Sequence, residues 1–284
     1  MSIVVTGATG HLGRLIVEGL LREGVAPAGI VAGGRSVEKL ADLGERGVTV
    51  ARIDYTDPAS LDSAFQGAET LMLVSGSEVG QRVAQHGAAI DAAVRAGVTR
   101  IVYTSAPKAS STTLVLAPEH KATEELLAAS GIAYTVLRNG WYTENYVATV
   151  NQARESGVIA ASVGDGLTAS ASRVDYADAA VAALLGAGHE GKVYELAGDV
   201  AWSHAELAQV VADILGTEVV YNALTPEDHL AVLTSAGLDD GTAGFVVALD
   251  ANTREGLLGE TSPDLRTLIG RPSTPLRDGL VAAL

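Results

Sequence analysis

Three glycines at positions 7, 10 and 13 stand in the run Thr6-Gly7-Ala8-Thr9-Gly10-His11-Leu12-Gly13. This spacing suits a backbone that must approach a pyrophosphate. The first glycine permits a tight turn, the second removes a side chain from the phosphates, and the third lets the following helix pack closely. Free N–H groups and the positive dipole end at the start of that helix would hold the anion. About twenty residues further on, a carboxylate would mark a bound ribose 2′-hydroxyl. The sequence instead reads Ala32-Gly33-Gly34-Arg35-Ser36. Arg35 can pair with a 2′-phosphate through charge-assisted bonds, Lys39 adds charge one turn on, and no acidic residue competes at that turn. NADP(H) is the expected cofactor and NAD(H) the second choice. The plain alternative for Arg35 is a solvated loop residue.

The groups that usually donate a proton in such proteins are missing. A Tyr-x-x-x-Lys pair is absent: Tyr103 is followed four residues later by Pro107, Tyr142 by Tyr146, and Tyr176 by Ala180. There is no Gly-x-Ser-x-Gly, no His-Glu-x-x-His and no phosphate loop of the Walker type. The six histidines are scattered, so a metal site is not expected. Hydride transfer to a quinone is still allowed. The product is a ring-stabilised anion, so positioning and a few hydrogen-bond donors suffice, with water supplying the proton. A simple ketone would need a better acid.

Elements that position these residues follow from hydrophobic periodicity. Strands are expected at residues 2–6, 30–33, 48–53, 70–74, 100–104 and 133–137. Helices are expected at 12–22, 37–45 with Ser36 as cap, 58–65, 80–96 and 119–129. Strand and helix alternate with crossovers long enough for parallel pairing. The fold class is therefore α/β, a Rossmann-type doubly wound parallel sheet. Residues 1–138 read as the NAD(P)-binding domain. Residues 139–284 read as a smaller, mostly helical substrate lobe with some segments returning to the sheet. In that lobe, helices are expected at 144–155, 175–185, 204–215, 227–236 and 243–258, and strands at 193–196 and 219–221. The cleft should lie between the carboxyl edge of the sheet and the lobe.

Composition narrows the partners. The 284 residues carry 19 basic and 34 acidic side chains, net −15. Residues 1–150 hold 12 basic and 15 acidic groups; residues 151–284 hold 7 and 19. Nucleic acid and anionic membranes are not expected partners. The absence of cysteine excludes disulfides and thiolate chemistry. The N-terminal run reads at once as a strand rather than as a leader, so a cytoplasmic monomer or homodimer is expected.

Several segments together carry a family resemblance: the glycine loop, Ser77-Glu78-Val79-Gly80-Gln81-Arg82, Leu137 to Tyr146 with its Asn139-Gly140-Trp141-Tyr142-Thr143-Glu144 core, Gly188 to Gly198, and Leu268 to Pro272. The chain resembles bacterial NAD(P)H:quinone oxidoreductases of the second, flavin-free type, in the NmrA-like branch of atypical short-chain dehydrogenases. The resemblance implies that Gly7, Thr9, Gly10, His11, Leu12 and Gly13 hold the pyrophosphate and Arg35 the 2′-phosphate. Ser75, Gly76, Ser77, Glu78 and Val79 would line the adenosine side. Thr104 and Ser105 would lie beneath the nicotinamide ribose. Asn139, Gly140, Trp141, Tyr142 and Glu144 would pass beside the nicotinamide, with Arg173 near the cofactor. Asn139 and Tyr142 are the expected catalytic groups, the Asn139 amide donating toward the nicotinamide or a quinone oxygen. His120 is a third, because it occupies the place of a catalytic lysine in the isoflavone-reductase branch, with Lys121 beside it.

Structural alternatives stand beside these roles. Trp141 and Tyr142 also read as core aromatics, Asn139 as a turn cap, His120 as a helix-start residue facing solvent, and Glu78 as a carboxylate complementing a helix dipole. Two further functions fit the pattern: a tailoring oxidoreductase of aromatic polyketide biosynthesis, and a non-catalytic NmrA-like dinucleotide-sensing regulator.

Overall fold

The computed structural model describes residues 2–284. Its first half is a run of alternating elements: β1 (Ile3–Val5), α1 (His11–Arg22), β2 (Ile30–Gly34), α2 (Ala41–Glu45), β3 (Thr49–Arg52), α3 (Pro58–Phe65), β4 (Thr70–Leu73), α4 (Arg82–Ala96), β5 (Arg100–Ser105), α5 (Ala117–Ala129) and β6 (Ala133–Asn139). The second half contains α6 (Val147–Ser156), β7 (Val158–Ala161), β8 (Leu167–Thr168), α7 (Arg173–Leu185), β9 (Val193–Leu196), β10 (Trp202–Ser203), α8 (His204–Leu215), β11 (Val220–Ala223), α9 (Pro226–Ser235), α10 (Asp240–Arg254), α11 (Pro263–Ile269) and α12 (Leu276–Ala283). The fold class is α/β, with the expected Rossmann-like sheet.

Seven strands form one parallel sheet in the order β3-β2-β1-β4-β5-β6-β9. β1 and β4 are buried throughout, as the apolar runs Ile3–Val5 and Leu71-Met72-Leu73 require of strands covered on both faces. One face packs on α1, α7 and α11 through Ile16, Leu20, Ala180, Val181 and Leu265. The other packs on α3, α4 and α5 through Leu61, Phe65, Ile90, Ala93 and Leu127. β9 comes from beyond residue 138 yet pairs with β6, and α7 lies on α1. The second half of the chain thus supplies part of the sheet and one of its covering helices.

Local chemistry explains most boundaries. Asp57 caps α3 by accepting from the N–H groups of Ala59 and Ser60, with Pro58 opening the helix. Ser172 and Asp175 form a capping box on α7, and Ser203 and Glu206 one on α8. Two expectations need correction. Residues 37–45 split into a 3-10 turn, Val37–Leu40, and the short α2, which cannot run on past Gly47 with its φ of +86°; Ser36 makes no side-chain capping bond. The expected helix 243–258 instead starts at Asp240, capped by Asp239, and ends at Arg254.

The lobe packs around its own apolar cluster of Val150, Ile159, Trp202, Leu207, Val211 and Leu280. Two small sheets, β7 with β11 and β8 with β10, stiffen it. Among the described residues, no helix is long and apolar enough to cross a membrane.

Candidate active site

The sheet order reverses between β1 and β4, and there the loops at the carboxyl ends diverge and leave a crevice. A cleft of about 610 Å³ occupies it. Its floor is the glycine loop. Gly7 turns with φ +63°, which an L side chain rarely adopts, and a Cβ on Gly13 would lie 2.3 Å from the Gly7 carbonyl oxygen. Gly10 stands at the N-cap of α1 and offers no side-chain cap. The N–H groups of its first turn therefore stay available to an anion in the cleft.

At the exposed end of the cleft stands Arg35, held by Glu78 at 2.7 Å. The expectation that no acid competes at that turn is overturned. Glu78 reaches Arg35 from the loop after β4, a contact the sequence separation conceals. Gln85 and Arg35 together hold the Glu78 carboxyl below the usual range. Asp54 and Tyr55, after β3, complete this end. The Tyr55 hydroxyl bonds to Thr6 Oγ1 at 2.7 Å and to the Val74 carbonyl at 2.9 Å, tying three strand ends together.

The loop after β4 is pinned from below. Arg82, buried, donates from Nε to the Gly76 carbonyl at 3.0 Å and pairs with Glu119 at 2.5 Å. Glu119 also accepts from the Gly80 N–H at 2.9 Å. His86, fully buried, accepts the Gly76 N–H on Nε2 at 3.1 Å and meets Thr123 Oγ1 through Nδ1 at 3.0 Å. Burial, then the Arg82 charge, lowers the His86 pKa to about 3.

Asn139 and Tyr142 meet at the end of β6. Asn139 Nδ2 donates to the Tyr142 hydroxyl at 3.2 Å. One N–H of the amide is thus engaged by Tyr142 and the second is left over, while Oδ1 is buried and without a hydrogen-bond partner. Tyr142, having accepted, keeps its own O–H for the cleft. Burial raises its pKa, while the Asn139 bond and the Arg173 cation, 5.1 Å from the ring centroid, work against that rise. The phenol stays protonated at neutral pH, as a donor must. Tyr142 also packs edge-on against Tyr176 in the main core, so the ring that lines the cleft is a core aromatic as well.

Beyond Tyr142 the wall turns apolar. Trp141, Leu114, Leu116 and Leu258 form one small cluster along the cleft. Asn252 in α10 accepts the Val115 N–H at 2.9 Å and so holds the 106–116 loop against the lobe. His120 sits in this wall. It is buried, contrary to the solvent-facing alternative, and its Nδ1 lies 2.7 Å from the Tyr103 hydroxyl.

Most expected residues therefore come together: Gly7, Thr9, Gly10, His11, Leu12, Gly13, Arg35, Ser75, Gly76, Ser77, Glu78, Ser105, His120, Asn139, Gly140, Trp141, Tyr142 and Arg173 all line the cleft. Three do not. Val79 points outward and is exposed. Thr104 is buried beneath the cleft and accepts the Ser75 N–H. Glu144 accepts the Arg173 N–H and lines a neighbouring cavity of about 880 Å³. Ser105 reaches the cleft with its hydroxyl turned away to Glu124 at 2.6 Å. Residues that sequence reasoning missed include Tyr55, Arg82, Gln85, Leu114, Leu116 and Leu258. Tyr55 could have been found from its place just past a parallel strand. The leucines come from an irregular stretch and from a turn more than a hundred residues away, and leave no local signal.

Comparison with known proteins agrees with this geometry. A family described as NAD(P)H-binding matches residues 7–186. Quinone oxidoreductase 2 of Escherichia coli is 48% identical over 278 residues, covering 98% of this chain and 97% of that protein. The crystal structure of the NADPH-dependent quinone oxidoreductase from Escherichia coli, complexed with NADPH, superposes with a TM-score of 0.94 over 99% of both chains. The triphenylmethane reductase of Citrobacter sp., complexed with NADP(H), is 37% identical and also gives 0.94, over 100% of both chains. The chain belongs to the NAD(P)H-binding family of atypical short-chain dehydrogenases, in the group of quinone oxidoreductase 2.

Proposed function

We propose that the protein is an NADPH-dependent, flavin-free reductase of quinones or quinone-like aromatic molecules. The observation that carries this reading is the run of the cleft. It leads from an uncapped helix N-terminus, past Asn139 and Tyr142, to the apolar wall of Trp141, Leu114, Leu116 and Leu258. A flat aromatic molecule suits that wall.

The residues present fit NADPH. The first turn of α1 would hold the pyrophosphate and Arg35 the 2′-phosphate. The orphaned Oδ1 of Asn139 supplies an acceptor that a carboxamide N–H would satisfy. Bound NADPH supplies a hydride, which passes directly to the substrate. The chain's own part is placement and charge. Tyr142 donates to the substrate oxygen on which negative charge grows, and Arg173 over its ring favours that charge. His120, across the apolar wall, is a second group in reach of the substrate. No strong acid is required, because the anion spreads over the aromatic ring and water completes it to the hydroquinone.

On this reading residues 1–138 chiefly hold the dinucleotide, and residues 139–284 chiefly shape the substrate end, supplying Trp141 and Leu258. The protein works in the cytoplasm as a monomer or homodimer, apart from nucleic acid; its net charge of −15 supports the last point. The test is NADPH oxidation by the purified protein with a panel of quinones and aldehydes, using cofactor deuterated at the transferred position. Quinone-selective turnover with a colourless enzyme and a kinetic isotope effect is expected. Stoichiometric bound flavin, or turnover with aldehydes alone, would refute the direct transfer to quinones.

A further inference from the structure

Four aromatic rings run in a file beneath the cleft. Tyr55 and His86 meet edge-on with centroids 5.9 Å apart, His86 and Tyr103 at 5.4 Å, and Tyr103 and His120 at 6.0 Å. Hydrogen-bond accounting assigns the protons along this file. The Gly76 N–H donates to His86 Nε2, so neutral His86 carries its proton on Nδ1 and gives it to Thr123 Oγ1. Thr123 in turn donates to the Glu119 carbonyl at 2.9 Å. The Tyr103 phenol is fully buried and needs an acceptor; Thr123 stands close enough to oppose the rise in its pKa, and the hydrogen bond its hydroxyl forms is with His120 Nδ1 at 2.7 Å. Burial holds this phenol protonated, its pKa pushed above the usual value.

We infer that Tyr103 is a positioning residue: its hydroxyl donates to Nδ1 of His120, fixes the neutral ring with its proton on Nε2, and so makes His120 a hydrogen-bond donor to the substrate oxygen in the cleft. The inference rests on the quinone-reductase reading for the nature of that oxygen. It goes beyond it by naming which nitrogen faces the substrate and what sets it.

Three observations support the assignment. His120 lines the cleft, and among the described residues Nε2 has no protein partner, nor is it a sealed, unpaired atom. The ring stands in the first turns of α5, where the positive dipole end opposes an imidazolium. Burial, with Arg82 and His86 nearby, lowers its pKa to about 3, so the ring stays neutral through the physiological range. A neutral imidazole keeps its Nε2 proton. It bonds the developing anion without transferring anything to it, and the proton of the product still comes from water.

The experiment pairs spectroscopy with kinetics on the full-length protein. Long-range ¹H–¹⁵N correlation spectra report the tautomer of each histidine, His120 being assigned by its loss in His120→Gln. The expected result is an Nε2–H ring that does not change between pH 5 and 8, and a mixture of tautomers in Tyr103→Phe. Quinone kcat of Tyr103→Phe should fall about 3- to 10-fold, the scale of weakening one neutral hydrogen bond, with NADPH Kd unchanged. His120→Gln keeps an N–H donor and should retain more turnover than His120→Leu.

An Nδ1–H ring in the unaltered protein overturns the assignment. So does a Tyr103→Phe variant whose tautomers mix while quinone kcat stays the same. Equal loss in His120→Gln and His120→Leu, both folded, also counts against the donor role. Failure of the unaltered protein to reduce any quinone would remove the reductase reading and the role of His120 with it, while the spectra would still decide what Tyr103 does to the ring.

Discussion

Glu78 accepts a hydrogen bond from Arg35 at 2.7 Å, joining the turn after β2 to the loop after β4 at the exposed end of the cleft. The arginine best placed for a 2′-phosphate is thus already engaged by a carboxylate. An incoming phosphate must share or displace that partner. Arg35→Ala should raise the NADPH Kd about tenfold, the scale of one exposed charge-assisted bond, and leave NADH nearly unchanged. Glu78→Gln should tighten NADPH a few-fold and again spare NADH. Calorimetric titration of both cofactors checks this; equal changes for both would sink the 2′-phosphate role of Arg35.

The three glycines of the first loop should not behave alike. A Cβ on Gly10 would meet the Gly7 carbonyl oxygen at 3.3 Å, a contact that a small shift relieves. Gly10→Val should fold, as judged by circular dichroism, and lose NADPH because the side chain fills the phosphate path. A Cβ on Gly13 would collide with backbone at 2.3 Å. Gly13→Ala should therefore lower stability as well, by about 1–3 kcal/mol of overpacking, seen as a reduced Tm.

Tyr142 and Asn139 separate binding from turnover. Tyr142→Phe removes the donor proposed for the substrate and should lower quinone kcat about 10- to 100-fold, with NADPH affinity nearly constant. Asn139→Ala removes both the bond to Tyr142 and the unpaired Oδ1. It should lower kcat similarly and also weaken NADPH. Steady-state kinetics beside cofactor titrations distinguish the two. A Tyr142→Phe variant with full turnover would leave the donor role empty.

Acid should destabilise the protein earlier than its carboxylates alone would. His86 and His120 have folded pKa values of about 3, below the unfolded value of 6.5. Between these limits the unfolded chain binds more protons. The stabilisation is fully present above pH 6.5 and is lost as pH falls toward 3. Each histidine costs up to about 1.4 kcal/mol per pH unit in that window. His189 and His204 are shifted in the same direction. Urea midpoints should fall between pH 7 and 5, and His86→Gln should flatten the slope. A midpoint independent of pH over that range would contradict the buried neutral rings.

Legibility in the sequence tracked periodicity and length. The strands and helices up to Asn139 repeat strongly enough to be read, apart from the split segment 37–45, and Pro58–Phe65 and His204–Leu215 match their observed bounds. β8 and β10 have two residues each, too few for any alternation to show. β7 has four, and α11 is a single seven-residue stretch between Pro263 and Gly270. The glycine loop, Asn139 and Tyr142 were legible because a motif names their neighbourhood. The Arg35–Glu78 pair, the file from Tyr55 to His120 and the Leu258 wall were not, because each is made by strands that bring distant segments to one edge.

The seventh strand has a mechanical consequence. β9 joins the sheet after the chain has already left it to build the lobe, and α7 covers α1 so closely that a Cβ on Gly19 would sit 2.8 Å from a methyl of Val181. A chain ended after residue 138 would expose the open edge of β6 and the bare apolar side of α1, the two surfaces from which misfolded sheets recruit neighbours. Residues 1–138 should therefore not fold as a free-standing part. Heating should melt both halves in one transition, and proteolytic nicks in the lobe should cost the nucleotide as well as the substrate.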